Sequence, residues 1–506
     1  MPEATPDGNI VVIRGGTVLP CDGSSRTIEN GEVWFAGGEI RAVCEAGGHT
    51  PPPGAEVAAV EADGRIVMPG LINAHSHSYS ALLKGTVDAV PLDLYMIRAI
   101  AGGSDRSPRE IFVSAQVDCI TLLKSGVTSV IDHYSERPQT TGEGLEAVAA
   151  GYREAGLRAR IAPMFADLPY LDTVPIDASR LPDELRAFYE RMTPPDAEAY
   201  FATVEAALET LDTANGRLGL LLGVDGPQRC SDALIEMTAD AKTRTGLGLH
   251  THMLEAKTQA AMRAPGEGFV ARLARLGIVD DKSSFAHFVW SAEDDIAAAR
   301  EAGLTVIHPA PSNMMLGSGV CPMLRLVESG IPVAFGSDGT NCSPAALLEP
   351  VRVAAYLSRL TEPDPDKWID AAGMLALAMQ GGARAMGEPG RIGTLAPGAR
   401  ADILVVDTRS HWHMPMGDPW RHILFYEQGA GTEHVWIDGR QVVRDGALLT
   451  IDEDAILAEA SGIATRFAER MGGREDFIAR HHAPFRAMLL DTQARDIGIE
   501  RLIRLR

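Results

Sequence analysis

Met68-Pro-Gly-Leu-Ile-Asn-Ala-His-Ser-His77 is an apolar run that ends in two histidines one residue apart. Val67 to Ile72 is apolar enough for a strand buried on both faces, with Pro69 and Gly70 punctuating its entry. Side chains alternate along a strand, so His75 and His77 point the same way with Cα atoms ~7 Å apart. Two neutral imidazoles on one face can share a divalent cation. The end of such a strand is also where parallel α/β barrels place their chemistry. Standing alone, the pair would read equally well as two histidines in a surface loop.

It does not stand alone. Downstream, apolar strands alternate with amphipathic helices, the pattern of parallel β/α units. Strands are predicted near 66–75, 127–132, 158–164, 218–224, 246–252, 283–287, 304–308 and 332–338, and eight of them make a barrel. Alanine-rich stretches such as Leu145 to Ala155 and Ala292 to Ala302 read as intervening helices. The proline-containing segment 165–215 reads as a long insertion forming part of a lid.

Both ends of the chain look different. Ile10 to Val43 alternates short β-rich runs with turns such as Asn30-Gly31 and Gly37-Gly38. The same texture returns in Ala401 to Val406, His434 to Asp438 and Gln441 to Arg444. The economical arrangement is one small β domain built from residues 1–67 and 391–452, with residues 68–390 inserted as a barrel. Residues 453–506 read as a helical, arginine-studded extension, whose charge suits a solvated face or an oligomer contact.

The 506 residues carry a net charge of −22. That balance argues against nucleic acid or an anionic membrane as a partner and makes a small neutral or cationic substrate easier to imagine. The six cysteines show no Cys-x-x-Cys spacing, so neither a disulfide framework nor a thiolate zinc site is indicated, and a reducing cytoplasm fits best. Met1 to Gly8 lacks a secretory pattern, and no apolar run approaches the ~18 residues a membrane span needs.

Three more strand ends carry reactive side chains. Gly246-Leu-Gly-Leu-His-Thr-His-Met-Leu-Glu255 ends in same-face His250 and His252 with a carboxylate three residues on. Ser284-Phe-Ala-His287 stops at a histidine, and Val333-Ala-Phe-Gly-Ser-Asp338 at an aspartate. Any one of these reads as a cap or turn residue, whereas their convergence at barrel strand ends points to a metal site.

In the order His75-x-His77, His252-x-x-Glu255, His287, Asp338, the chain resembles the amidohydrolase superfamily, and within it the branch of cytosine deaminase, the S-adenosylhomocysteine deaminases and the triazine hydrolases. Accessory stretches extend the likeness over residues 10 to 450: His77-Ser-Tyr-Ser-Ala-Leu-Leu-Lys-Gly85, Gly126-Val-Thr-Ser-Val-Ile-Asp132, His308-Pro-Ala-Pro-Ser-Asn313 through Leu316-Gly-Ser-Gly319, and Gly393-Thr-Leu-Ala-Pro-Gly-Ala-Arg-Ala-Asp402. The resemblance implies a TIM-like (β/α)8 barrel with a small β-sandwich from both termini, and a homo-oligomer, as is usual among such relatives. It implies one divalent metal, Zn2+ or Fe2+, on His75, His77, His252 and Asp338, with no bridging lysine to hold a second and with His250 outside the ligand set. Such a site lowers the pKa of a bound water from about 15.7 towards ~7. By the same resemblance Asp338 takes that water's proton, His287 orients the nucleophile, and Glu255 protonates a ring nitrogen and then the leaving group.

The activity implied is deamination of an amino-substituted N-heterocycle of pyrimidine, pterin, purine or triazine type. Hydrolysis of an aryl halide, cyclic amide, urea or carbamate by the same constellation is the alternative, and a metal-free barrel scaffold is the alternative of another class. Glu255 favours deamination, because loss of ammonia needs more proton delivery than loss of halide. Purine-nucleoside members carry Pro-His-x-Pro-Tyr after the fourth strand, whereas this chain has Val224-Asp-Gly-Pro-Gln-Arg-Cys230, with Asp225 where the sugar-binding histidine would stand. Tyr95, His133, Gln228, Trp290, His308 and Asn313 are the candidate substrate contacts, and Asp105 is a further candidate for a sugar hydroxyl. His49, His411, His413, His422, His434, His481 and His482 fall in β-domain loops or the tail, away from the chemistry.

Overall fold

The computed structural model describes residues 10–96, 106–191, 194–264, 266–472 and 475–503. Five strands come first: β1 (Ile10–Val18), β2 (Ile28–Ala36), β3 (Glu39–Glu45), β4 (Val57–Glu61) and β5 (Arg65–Pro69). A second series follows: β6 (Leu71–His77), β7 (Val127–Asp132), β8 (Arg158–Ile161), β9 (Met164–Phe165), β10 (Leu218–Leu220), β11 (Gly223–Val224), β12 (Leu249–Met253), β13 (Ser283–His287), β14 (Thr305–His308), β15 (Val333–Phe335) and β16 (Asp338–Gly339). Four more close the series: β17 (Ile403–Asp407), β18 (Thr432–Ile437), β19 (Arg440–Arg444) and β20 (Ala447–Leu448).

β1–β5 and β17–β20 form one nine-stranded sheet, in the order β20-β19-β18-β17-β5-β1-β2-β3 with β4 beside β1. The two ends of the chain meet where β5 runs antiparallel to β17, Val67 opposite Val405. This sheet has its own core, in which Val11, Ile13 and Phe35 pack with Leu395, Ile403 and Trp436.

The β6–β16 series is parallel throughout and buried, as strands covered on both faces by helices must be. Its hydrogen bonds fall into three ladders, β10-β8-β7-β6-β16, β11-β9 and β12-β13-β14-β15. The first and last approach each other at an isolated bridge, Leu222 to Leu249. The expected closed barrel is therefore not a single continuous ladder. Several strands break near their carboxyl ends, as β8/β9, β10/β11 and β15/β16 do.

A second correction concerns the run predicted as one strand, 66–75. It divides at Gly70: residues 65–69 pair with β17 in the terminal sheet, and residues 71–77 pair with β7. Gly70 is required where the two meet, since a Cβ there would lie 2.2 Å from Thr128 Cγ2. Across the same junction Arg158, fully buried on β8, reaches Asp402 at 3.1 Å and Asp438 at 2.7 Å. A guanidinium with no exposure is tolerable only with such partners.

The insertion 165–215 contains helices Asp183–Glu190 and Ala197–Thr210. The extension forms helices Glu453–Gly472 and Glu475–Ala494. Phe485 and Met488 of the second pack on Leu94, Val174 and Tyr189, so the extension buttresses the insertion. No helix among the described residues is long and apolar enough to cross a membrane.

Candidate active site

Parallel strands deliver the site: β6 carries His75 and His77, β12 His250 and His252, β13 His287 at its carboxyl end, and β16, which continues the line of β15, Asp338. His77 Nε2 lies 3.1 Å and His75 Nε2 3.4 Å from Asp338 Oδ1. His252 Nε2 lies 3.2 Å from His77 Nε2. β16 reaches β6 because Gly336 lies against the His75 backbone, where a Cβ would meet His75 O at 2.6 Å. Asp338 and His287 hold φ of +64° and +76°. For residues with side chains this left-handed backbone costs ~1–3 kcal/mol, the kind of strain that clusters at functional sites.

Hydrogen bonds from behind fix the rings. His77 Nδ1 is 2.6 Å from the His133 carbonyl and His252 Nδ1 is 2.8 Å from the Asp225 carbonyl. A carbonyl only accepts, so both Nδ1 atoms carry the proton and both Nε2 atoms present lone pairs. Two lone pairs facing each other at 3.2 Å, with a carboxylate oxygen 3.1 Å from one of them, repel unless positive charge sits among them. A proton on one ring or a divalent cation would supply it. His75, His77 and His252 form one group whose ligand atoms lie close enough to hold a metal, and His75, His287 and Asp338 form another.

His75 Nδ1 contacts His250 Nε2 at 2.8 Å, and His250 Nδ1 contacts Ser284 Oγ at 2.8 Å. With Ser284 accepting from His250 Nδ1, His250 Nε2 accepts from His75 Nδ1 and leaves the His75 Nε2 lone pair facing Asp338. Burial pushes His75, His133 and His250 well below the ordinary imidazole range, keeping them neutral. Burial also opposes charge on His77, yet its contact with Asp338 lifts it above that range. Asp338 in turn sits well below the usual carboxylate range, the imidazoles outweighing the cost of burial. Ser312 Oγ donates to its other oxygen at 2.6 Å.

Glu255 Oε2 lies 3.7 Å from His287 Nε2. Burial raises its pKa, so the carboxyl tends to keep a proton. His287 Nδ1 bonds Asn313 Oδ1 at 2.8 Å, which leaves Nε2 buried without a hydrogen-bond partner and aimed between Glu255 and Asp338.

These groups line a cavity of about 60 Å³ with Tyr79, Tyr95, Gln228, Asn341 and Cys342. Of the predicted substrate contacts, Tyr95 and Gln228 face this cavity. The other four do not. His133 is buried among the imidazoles, its ring centroid 4.5 Å from that of His252. Trp290 is buried and donates to Ser318 O at 2.6 Å, so it packs a loop. Asn313 is spent on His287, and His308 opens onto a separate cavity beside the C-terminal tail. Asp105 lies outside the described residues.

Asp225 accepts from Arg229 at 2.7 Å and approaches His252 Nδ1 at 3.3 Å, so it braces the site. Arg137 and Arg229 line the cavity and carry no sequence motif. The C-terminal extension reaches the same face. Lys257 Nζ donates to Gln493 O at 3.0 Å and Arg495 O at 2.7 Å, and Arg501 donates to Val289 O and Ser291 O, both at 2.9 Å.

The amidohydrolase family model matches residues 66–442. A 5-methylthioadenosine/S-adenosylhomocysteine deaminase of Pelotomaculum thermopropionicum is 28% identical, over 91% of this chain and 99% of its own length. A 5'-deoxyadenosine deaminase of Methanothermobacter thermautotrophicus is 29% identical over 90% and 98%. An adenosine deaminase from Xanthomonas campestris, solved with bound zinc, superposes with a TM-score of 0.78 at 25% identity, covering 92% of this chain and 100% of that one.

Proposed function

The chain belongs to the amidohydrolase family, and on that footing we propose that it is a metal-dependent aminohydrolase that removes an exocyclic amine from an N-heterocycle. The observation that carries the reading is the inward-facing lone pairs of His77 and His252 at 3.2 Å beside Asp338, with Glu255, its pKa raised by burial, across the cavity. The two relatives named above are deaminases of adenosine-type compounds, which supports the reaction class.

In this reading His75, His77, His252 and Asp338 hold one divalent ion. Zinc is favoured by nitrogen-rich ligation and by the zinc bound in the Xanthomonas relative. When bound, the ion would supply the Lewis acidity that makes water nucleophilic near neutral pH. Asp338 accepts the proton of the attacking water, its Oδ1 facing the imidazoles and its Oδ2 held by Ser312. Glu255 delivers its proton to the ring nitrogen, which makes the neighbouring carbon more electrophilic; as the C–N bond breaks it regains a proton from the new hydroxyl and passes it to the departing amine, and the proton held by Asp338 restores the acid. His287, fixed by Asn313, orients the incoming oxygen through Nε2. Asp225 stands where nucleoside relatives have a sugar-binding histidine and is already engaged by Arg229, so the reading covers the base and leaves a ribose out.

The fold reading behind this is a TIM-like barrel carrying the site, with the nine-stranded terminal sheet as a small β-sandwich built from residues 1–67 and 391–452. Its separate apolar core supports that division.

The test is mass spectrometry of amino-, halo- and amide-bearing heterocycles incubated with zinc-loaded protein, with Asp338→Asn as control. Replacement of an amine by hydroxyl adds about 1 Da and releases ammonia, and this change should be absent in the variant. Halide loss or ring-bond scission in place of ammonia would sink the deaminase reading.

A further inference from the structure

Beyond the inner cavity lies a larger chamber of about 460 Å³, and the two share Ser135, Arg137, Met164, Asp225 and Arg229. A substrate consisting only of a ring would leave that outer volume to water. The chamber's wall carries three guanidinium groups, Arg137, Arg191 and Arg229, against two carboxylates, Glu136 and Asp225.

Both carboxylates are already occupied. Glu136 accepts from Tyr134 Oη at 3.1 Å, Thr141 N at 2.8 Å and Thr141 Oγ1 at 2.7 Å. Asp225 accepts from Arg229 at 2.7 Å. Arg229 is thereby neutralised, whereas Arg137 and Arg191 have no ion-pair partner among the described residues. A surface arginine is ordinarily just solvated. Arg137 differs in standing at the junction, half-buried, lining the same cavity as His77 and Asp338. With the Arg229–Asp225 pair cancelling, Arg137 and Arg191 outweigh Glu136, so in a chain of net charge −22 this stretch of wall is net cationic and favours negative charge.

We propose that the outer chamber recognises an anionic substituent on the substrate, a carboxylate or a phosphate, with Arg137 as its counter-ion. The inference rests on the aminohydrolase reading of the inner cavity and names the class of molecule that cavity serves: a heterocycle with its amine at the imidazole cluster and a negatively charged group at Arg137. A planar guanidinium pairs with either anion through two parallel hydrogen bonds. The composition of the whole chain suggested a neutral or cationic substrate, and the local charge overrides that average.

The experiment uses two matched pairs without a ribose, pterin with pterin-6-carboxylate and 6-hydroxymethylpterin with its phosphate monoester, which separate the two anions. Binding is measured by calorimetry on zinc-loaded Asp338→Asn protein, where turnover does not interfere, and kcat/KM on the protein with Asp338 intact. A charge-assisted pair is worth about 1.5–3 kcal/mol, so the charged member of at least one pair should be favoured about tenfold or more. In Arg137→Gln that ratio should fall to about one, and in Arg137→Glu below one, with the change in KM rather than kcat. No charge preference in either pair, or a preference that survives Arg137→Gln, overturns the proposal. A charge preference in binding that Arg137→Gln abolishes, without turnover of any member, leaves the anion site standing and counts against the deaminase reading alone.

Discussion

The floor of the cavity is made of side chains at the ends of parallel strands, each held from behind by a hydrogen bond, whereas its mouth is made of loops and of the inserted segment. At the floor, Nδ1 of His75, His77, His252 and His287 each has a partner within 2.8 Å. At the mouth, Arg137 and Arg191 have no ion-pair partner among the described residues, and Gln228 is half-buried at the rim. A floor built this way fixes what reaction is possible, and a mouth built that way can change which molecule undergoes it without disturbing the floor.

The comparison breaks most visibly at Asp338. Asp338→Asn should lower ammonia release by about 10²- to 10⁴-fold, the worth of a placed acid or base. A variant keeping near-normal turnover would detach the floor from the chemistry. Asp118 is next. It is fully buried, bonded to Ser76 Oγ at 3.2 Å and Thr340 Oγ1 at 2.6 Å, and burial raises its pKa to about 6. Because that lies above an unfolded value of ~3.9, the folded protein takes up a proton as pH falls through about 6. The group's destabilising effect is therefore present above pH ~6 and fades toward pH ~4. Asp118→Asn should remove it, so the difference in unfolding free energy between variant and wild type should widen by roughly 1.4 kcal/mol from pH 5 to pH 8. Parallel curves would show that Asp118 does not titrate as its burial implies.

His250→Phe removes the acceptor behind His75 and should weaken zinc binding about 10- to 100-fold in chelator competition, with His250→Gln falling between. Equal affinity in all three proteins would show that His75 does not need this partner. The smallest effect belongs to the mouth. Gln228→Leu should raise KM for the heterocycle about 2- to 10-fold, the value of one neutral hydrogen bond, while zinc affinity stays put. A matching loss of zinc would erase the distinction between the two regions.

What could be read in the sequence follows the same division. His75, His77, His252, His287 and Asp338 were legible because strand periodicity fixes a face and a strand's end fixes a height, Glu255 beyond β12 was legible through the family resemblance, and the structure brings these six together. Past the last paired residue the periodicity is gone. His133, Trp290, Asn313 and His308 lie just past or at strand ends, yet the first three turn to neighbours and His308 opens onto a separate cavity. Arg137 escaped notice because it lies five residues beyond β7 in an irregular loop, where no repeat says which way a side chain points. The apolar run 66–75 hid its break for a related reason: alternation cannot reveal that consecutive residues serve two different sheets.

The pairing of β5 with β17 also sets an order of events during synthesis. Val67 emerges early, but its partner Val405 is made only after the entire catalytic segment, a wait on the order of tens of seconds at ~5–20 residues per second. Throughout that interval one side of β5 is an unpaired apolar edge, open to any other extended chain nearby. A nascent or truncated chain that stops short of β17 should therefore be a chaperone client and prone to aggregate, however complete its barrel strands are.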